Sequence, residues 1–205
     1  MFEEIKQRVK EGRWEIVGGW WVEADCNLIS GESMVRQLLH GKRFFRQEFG
    51  VDVKNLWLPD VFGYSAALPQ ILKKSGIETM VTQKLSWNQF NRFPHNTFIW
   101  QGIDNSEIVV HFPPEDCYTT SLKPSGLKYA RENFEERDRL DEFLTLYGIG
   151  DGGGGPTEEM IESGQRQLDL ESSPRVRFST AQAFLDRLLE QKHLLKRWVG
   201  ELYFE

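Results

Sequence analysis

The sequence predicts an α/β fold built on a mainly parallel sheet, an incomplete (β/α) barrel-like catalytic domain. Two observations carry that expectation. In the first half of the chain, amphipathic helical stripes alternate with short strands that are apolar on both faces, and the connections are short. Acidic and aromatic residues also gather just after those strands, where parallel α/β folds present side chains to a ligand.

The elements are read in order. Phe2, Ile5 and Val9 recur at helical spacing and Gly12 ends that run. Residues 14–17 (WEIV) read as a buried strand, followed by the aromatic and acidic loop 18–27. Ser30 is placed to cap a helix whose stripe runs from Met34 to Phe49 and stops at Gly50. Residues 55–58 form a strand, a turn covers 59–65, a helix spans about 66–75 up to Gly76, and 79–82 form the next strand. Segments 97–101 and 107–112 flank a Gly-Ile-Asp-Asn-Ser turn and predict a hairpin or a strand entering the sheet. A helix is expected over 123–146, with Leu127, Ala130, Phe134, Leu140, Phe143 and Leu144 inward. A glycine-rich loop follows, then a helix from Thr157, a strand at 175–178, a helix over 180–191 and an apolar, strand-like tail.

Composition narrows the function classes. With 40% apolar and 27% charged residues, the 205-residue chain can build an ordinary core. A net charge of −6 argues against nucleic acid or an anionic membrane as the main partner, since both need a basic face. Seven Trp supply either core or a flat face for a sugar ring. Two cysteines make no disulfide framework and point to a reducing compartment. With no CxxC and four scattered His, a zinc site made only of Cys and His is excluded. No run of about 18 apolar residues exists to span a bilayer. The charged N-terminus lacks the apolar block of a signal peptide, so the expected location is the cytoplasm.

Four segments hold candidate chemistry. Asp60, in Leu-Pro-Asp-Val-Phe-Gly-Tyr, follows one strand and precedes a helix. It is placed to be a nucleophile, base or metal ligand, or simply a helix cap. Trp20, Trp21, Glu23 and Asp25 combine indoles with carboxylates, as sugar sites do, but this segment alone favours a core indole pair with solvated acids. The Gly150–Pro156 run precedes a helix but lacks the Lys and Ser/Thr of a phosphate loop. Its glycines suit close approach of backbone to a ligand, with Asp151 as the one side chain there able to do acid/base work, and a flexible turn is the alternative. His111, Glu115, Asp116 and Tyr118 end another strand, whereas His95 reads as structural. Acids at several strand ends beside aromatics fit two-carboxylate glycoside hydrolysis.

Taken together, GGWWVEADCNLISGESMVRQLLHGKRFFRQEFG, LWLPDVFGYSAALPQILKKSGI, TQKLSWNQFNRFPHNTFIWQGID, VVHFPPEDCY and GDGGGGPT resemble the class II α-mannosidases, glycoside hydrolase family 38, in its cytosolic-type branch. The resemblance runs from about residue 12 to the end. It implies a retaining exo-α-mannosidase with a divalent metal, usually zinc, acting on mannose-containing oligosaccharides. It gives Asp60 the roles of nucleophile and metal ligand and Asp151 that of acid/base, and it puts Phe62, Lys84 and Tyr118 at the sugar. Lys84 stands where other branches carry an Arg that keeps the nucleophile ionised. Asp25 and Glu23 match an acid near the site with no assigned role, and Trp21 belongs to a possible sugar platform.

The family's metal site also uses a His-x-Asp pair and a downstream His. No His here is followed two positions on by Asp. The resemblance therefore implies that residues 1–205 are one internal part of a catalytic domain, without a separate second domain, and that this part alone holds no zinc and turns over little substrate. Two rival readings are a non-catalytic carbohydrate-binding remnant using Trp21, Phe62 and Tyr118, and a polysaccharide deacetylase-like hydrolase. The missing HxxxH pattern speaks against the second.

Overall fold

A computed structural model describes residues 1–151 and 153–205. Helix α1 (Phe2–Lys10) lies on the outside with no buried residue, its Phe2 ring against Phe44 and Phe49. Helix α2 (Gly31–Phe49) begins where the Ser30 hydroxyl accepts from Ser33 N at 3.2 Å and ends at Gly50, φ 70°. Strands β1 (Asn55–Trp57) and β2 (Gly63–Tyr64) bracket the Asp60 turn. Helix α3 (Leu68–Lys74) leads to β3 (Thr79–Val81), and β4 (Thr97–Gln101) pairs with β5 (Glu107–His111) as an antiparallel hairpin, one of the two expected alternatives. Helices α4 (Pro124–Asn133), α5 (Glu158–Arg166) and α6 (Ala181–Glu190) follow, then β6 (Arg197–Val199) and β7 (Leu202–Tyr203).

The central sheet has the order β1-β3-β5-β4-β6, with β1 and β6 at its edges. Every pairing is parallel except β4 with β5, so the fold is mixed α/β with a mainly parallel sheet. Alternate side chains divide between two cores, as the strand period of two requires. Leu56, Met80, Phe98, Trp100, Ile108 and Val110 face α2 and α3, where Met34, Leu38, Leu68 and Leu72 meet them. Val81, Ile99 and Val109 face the opposite way, onto Phe184, Leu185 and Leu188 of α6 and onto Phe134 and Leu140.

Three sequence expectations need correction. Residues 14–17 form no strand. Glu15 instead accepts from Ala181 N and Gln182 N at 2.7 and 2.8 Å, capping α6, and Gly18 N donates to Asn55 Oδ1 at 2.9 Å. The segment's bonding capacity goes to side chains rather than to a ladder. The expected helix over 123–146 ends at Asn133, with Phe134 already extended. Glu136 draws the chain aside, because its buried carboxylate accepts from Asn96 N, Thr97 N and His95 Nδ1 at 2.8–3.0 Å. Leu127, Ala130, Phe134 and Leu140 are buried all the same, and Phe143 and Leu144 pack partly against the second core. Residues 175–178 also pair with no strand, since Val176 N returns to Gln167 O at the end of α5. Strand β6, unforeseen, takes the edge place beside β4.

Candidate active site

Parallel pairing assembles the site. Trp57, Val81 and His111 stand level across β1, β3 and β5, so the segments that follow them leave the sheet at one edge. Pro59 O accepts from Gln83 N and Lys84 N at 3.1 and 2.9 Å, tying the first two of these segments together. Tyr64 seals them from below, its hydroxyl donating to Leu58 O at 2.9 Å and lying 2.7 Å from Thr82 Oγ1.

Asp60 and Lys84 thereby face each other, with Nζ 2.6 Å from Oδ1. Oδ1 is buried and has no well-angled hydrogen bond, so it depends on the ammonium as a charge. Only 10% of the Lys84 side chain is exposed, and its Nζ lies 5.1 Å from the Phe62 ring centre and 4.2 Å from that of Trp87. Both rings are within cation–π range. Phe62 is half-exposed and braced edge-on by Phe204.

Glu23 accepts from the Asp60 backbone N at 2.6 Å. Desolvation, the largest influence on its carboxyl, raises its pKa above the ordinary value, and the Asp60 charge acts in the same sense. The Asp60 N–H bond and Lys84 oppose this.

Tyr118 joins the third strand end to the glycine-rich loop. Its hydroxyl donates to Asp151 Oδ1 at 2.9 Å. Its pKa is pushed well above the usual phenol range, first by desolvation, next by the Asp151 bond, and also by the charge of Asp60 and a lesser hydrogen bond to it. The phenol is thus bonded to Asp151 and feels the charge of Asp60.

Asp151 itself is exposed, at φ 52°. Gly150 lets this loop reach the Tyr118 segment, because a Cβ there would lie 2.3 Å from Thr119 Cγ2. The close approach at this glycine is to the protein's own chain. Gly152 of the same run lies outside the described residues.

Other predicted residues stand apart. Asp25 spends Oδ1 on Asn27 N and Leu28 N at 2.7 and 3.0 Å, shaping its own turn. Trp21 is half-exposed and packs edge-on against Phe44 with the aromatic group of α1 and α2, not against Phe62 or Tyr118. His111 is fully buried, its Nε2 accepting from Leu144 N and its Nδ1 bonded to Thr97 Oγ1, so it serves packing. Trp87 was not singled out from the sequence. It shares one 3-10 turn with Lys84 at i,i+3, a spacing that stacks the two side chains, and its Nε1 donates to Asp116 O at 2.7 Å.

The donors present do not fit a resident zinc. Among the described residues no three His, Cys, Asp or Glu side chains are grouped to hold a metal, and the Asp60 oxygen already faces an ammonium. Zinc sites take at least three protein ligands.

The sequence profile of the glycosyl hydrolases family 38 N-terminal domain matches residues 1–201. The chain belongs to glycosyl hydrolase family 38. This family 38 domain is 49% identical over its whole length to alpha-mannosidase G of Dictyostelium discoideum and 44% identical to alpha-mannosidase 2C1 of Homo sapiens. It spans about a fifth of each of those relatives, 19% and 20%. In fold it is similar to an alpha-mannosidase from Enterococcus faecalis V583, with a TM-score of 0.74 at 19% identity, over 98% of this chain and 23% of that one. No helix among the described residues is long and apolar enough to cross a membrane.

Proposed function

We propose that this family 38 domain contributes the nucleophile and the acid/base of a retaining α-mannosidase that removes terminal α-mannosyl residues from oligosaccharides. The Asp60 oxygen attacks the anomeric carbon while Asp151 gives its proton to the departing glycosidic oxygen. The C–O bond breaks, and a glycosyl ester forms on Asp60. Asp151 then takes a proton from water, whose oxygen displaces Asp60 with a second inversion. Lys84 pairs with the nucleophile and positions its carboxylate, the Phe62 and Trp87 rings offer apolar faces to the sugar, and Tyr118 orients Asp151.

The observation that carries this reading is the Tyr118 hydroxyl bonded to Asp151 on the strand-end edge that Asp60 occupies, where the Asp60 charge also raises its pKa. Double displacement requires the two carboxyl groups roughly 5–5.5 Å apart. A divalent metal such as zinc belongs to this proposal only for the longer enzyme, with Asp60 as one ligand, and no step above is routed through it. A cytoplasmic setting is supported by Cys26 and Cys117, both free thiols.

The test is Asp60→Asn in the full-length enzyme. Turnover of an aryl α-mannoside should fall at least about 1,000-fold while mannose still binds, and an activated fluorosugar should label the Asp60 peptide of the unmutated enzyme. Undiminished turnover removes the nucleophile and with it the reading. Binding without any dependence of turnover on Asp60 would favour a sugar-binding role.

A further inference from the structure

The loops bearing Tyr118 and Asp151 run side by side. Thr120 N donates to Leu146 O at 3.0 Å, and Gly148 N donates to Thr120 O at 3.3 Å, forming a bridge between Thr120 and Tyr147. Further out, the Thr119 methyl fits against Gly150, and the Tyr118 hydroxyl bonds Asp151.

At the inner end of this ladder lies a polar group that the proposed mechanism does not use. The Oε2 of Glu115 and the hydroxyls of Thr120 and Thr145 are each fully buried without a well-formed hydrogen bond. The ladder brings Thr120 beside the segment that follows Thr145, and both hydroxyls bear on the Glu115 carboxyl. Desolvation raises the Glu115 pKa, and the Thr145 and Thr120 hydroxyls oppose that rise. The other oxygen, Oε1, rests on the first turn of α4, so close that a Cβ at Gly126 would come within 2.4 Å of it. That helix has no side-chain cap of its own, and a carboxyl group at its start is electrostatically favoured. Glu115 and Thr120 sit at the two ends of the Tyr118 loop, and Thr145 begins the loop of Asp151. A buried carboxyl joining all three and seated on a helix end sets the spacing of the two loops.

We propose that Glu115, with Thr120 and Thr145, is a buried clamp that holds the Tyr118 loop against the Asp151 loop, making Glu115 a positioning residue for the acid/base. The inference rests on the proposed role of Asp151. Misplacing a proton donor by about 1 Å costs up to about 100-fold in rate, and the loss is greatest where the leaving group most needs the proton.

The experiment compares Glu115→Ala, Glu115→Gln and Thr145→Val in the full-length enzyme, with Asp151→Asn as reference. Two substrates are used, a mannobioside and an α-mannoside with a strongly acidic phenol as leaving group. The expected result for Glu115→Ala is a fall in kcat on the mannobioside of roughly 10- to 100-fold, a much smaller fall on the activated substrate, and little change in KM. Glu115→Gln, which keeps one acceptor and adds a donor, should restore part of the loss, and Thr145→Val should share the pattern more weakly. Equal losses on both substrates for Glu115→Ala and Thr145→Val overturn the clamp and leave Asp151 in place, provided Asp151→Asn discriminates between the substrates. If Asp151→Asn does not discriminate, the acid/base reading itself falls. If Glu115→Ala does not fold, Thr145→Val decides between these outcomes.

Discussion

Gly41→Ala isolates how the loop before α2 is held against the site. Gly41 is buried in α2, and the backbone of residues 19–21 crosses the helix at this point. A Cβ there would lie 2.3 Å from Gly19 O, 2.5 Å from Trp20 C and 2.8 Å from Trp21 N. All three are backbone atoms, so the crossing segment must retreat by about 1 Å to reach ordinary contact. That retreat strains two bonds to Gln37, from Trp21 N at 3.1 Å and Val22 N at 3.0 Å. It also draws Glu23 away from the Asp60 N–H. Overpacking costs about 1–3 kcal/mol and each weakened bond about 1 kcal/mol, while the better helix former returns up to about 1 kcal/mol. The net local cost is about 2–4 kcal/mol, or roughly 30- to 1,000-fold faster exchange of the affected amides. Hydrogen exchange followed by mass spectrometry on peptides covering residues 18–24 and 58–62 of the full-length enzyme reads this directly. Gly31→Ala, at the open start of the same helix with nothing within 4 Å, should leave exchange unchanged. Unchanged protection in Gly41→Ala would refute the reasoning.

Two further outcomes follow from the same geometry. His111 is buried neutral, its pKa lowered to about 3 by desolvation. The unfolded chain therefore takes up this proton first, and stability falls as pH drops from about 6.5 towards 3, by about 2 kcal/mol at pH 5. Thermal unfolding at pH 7 and pH 5 should show a smaller acid loss for His111→Gln, and parallel losses would sink the assignment. Gly150→Ala should depress turnover by driving a Cβ onto Thr119 Cγ2, and Thr119→Ala in the same enzyme should restore part of it by removing that methyl. A double variant no better than the single one would show that the clash is not the cause.

The strand-end position of Asp60 was legible because a carboxylate between a short apolar strand and a helix is a local pattern. Lys84 and Tyr118 were placed by resemblance, and the parallel register of β1, β3 and β5 brings their segments to the edge that Asp60 occupies. Asp25 and Trp21 were drawn from the same acidic and aromatic loop, but their partners proved local, a turn and the Phe44 ring. Trp87 and Glu115 acquire their roles through contacts with residues distant in sequence or held in a separate loop, and such contacts leave no periodic mark.

The sequence by itself determined the helix limits at Ser30 and Gly50, the β4 and β5 segments and the two-faced apolar strands, since caps, turns and periodicity act over a few residues. Tertiary structure decided that 14–17 caps a helix instead of joining the sheet, that Glu136 breaks the helix begun at Pro124, and that the Tyr118 phenol reaches Asp151 of a separate loop. Those outcomes depend on which distant group reaches a buried donor or acceptor first, and only the folded chain sets that competition.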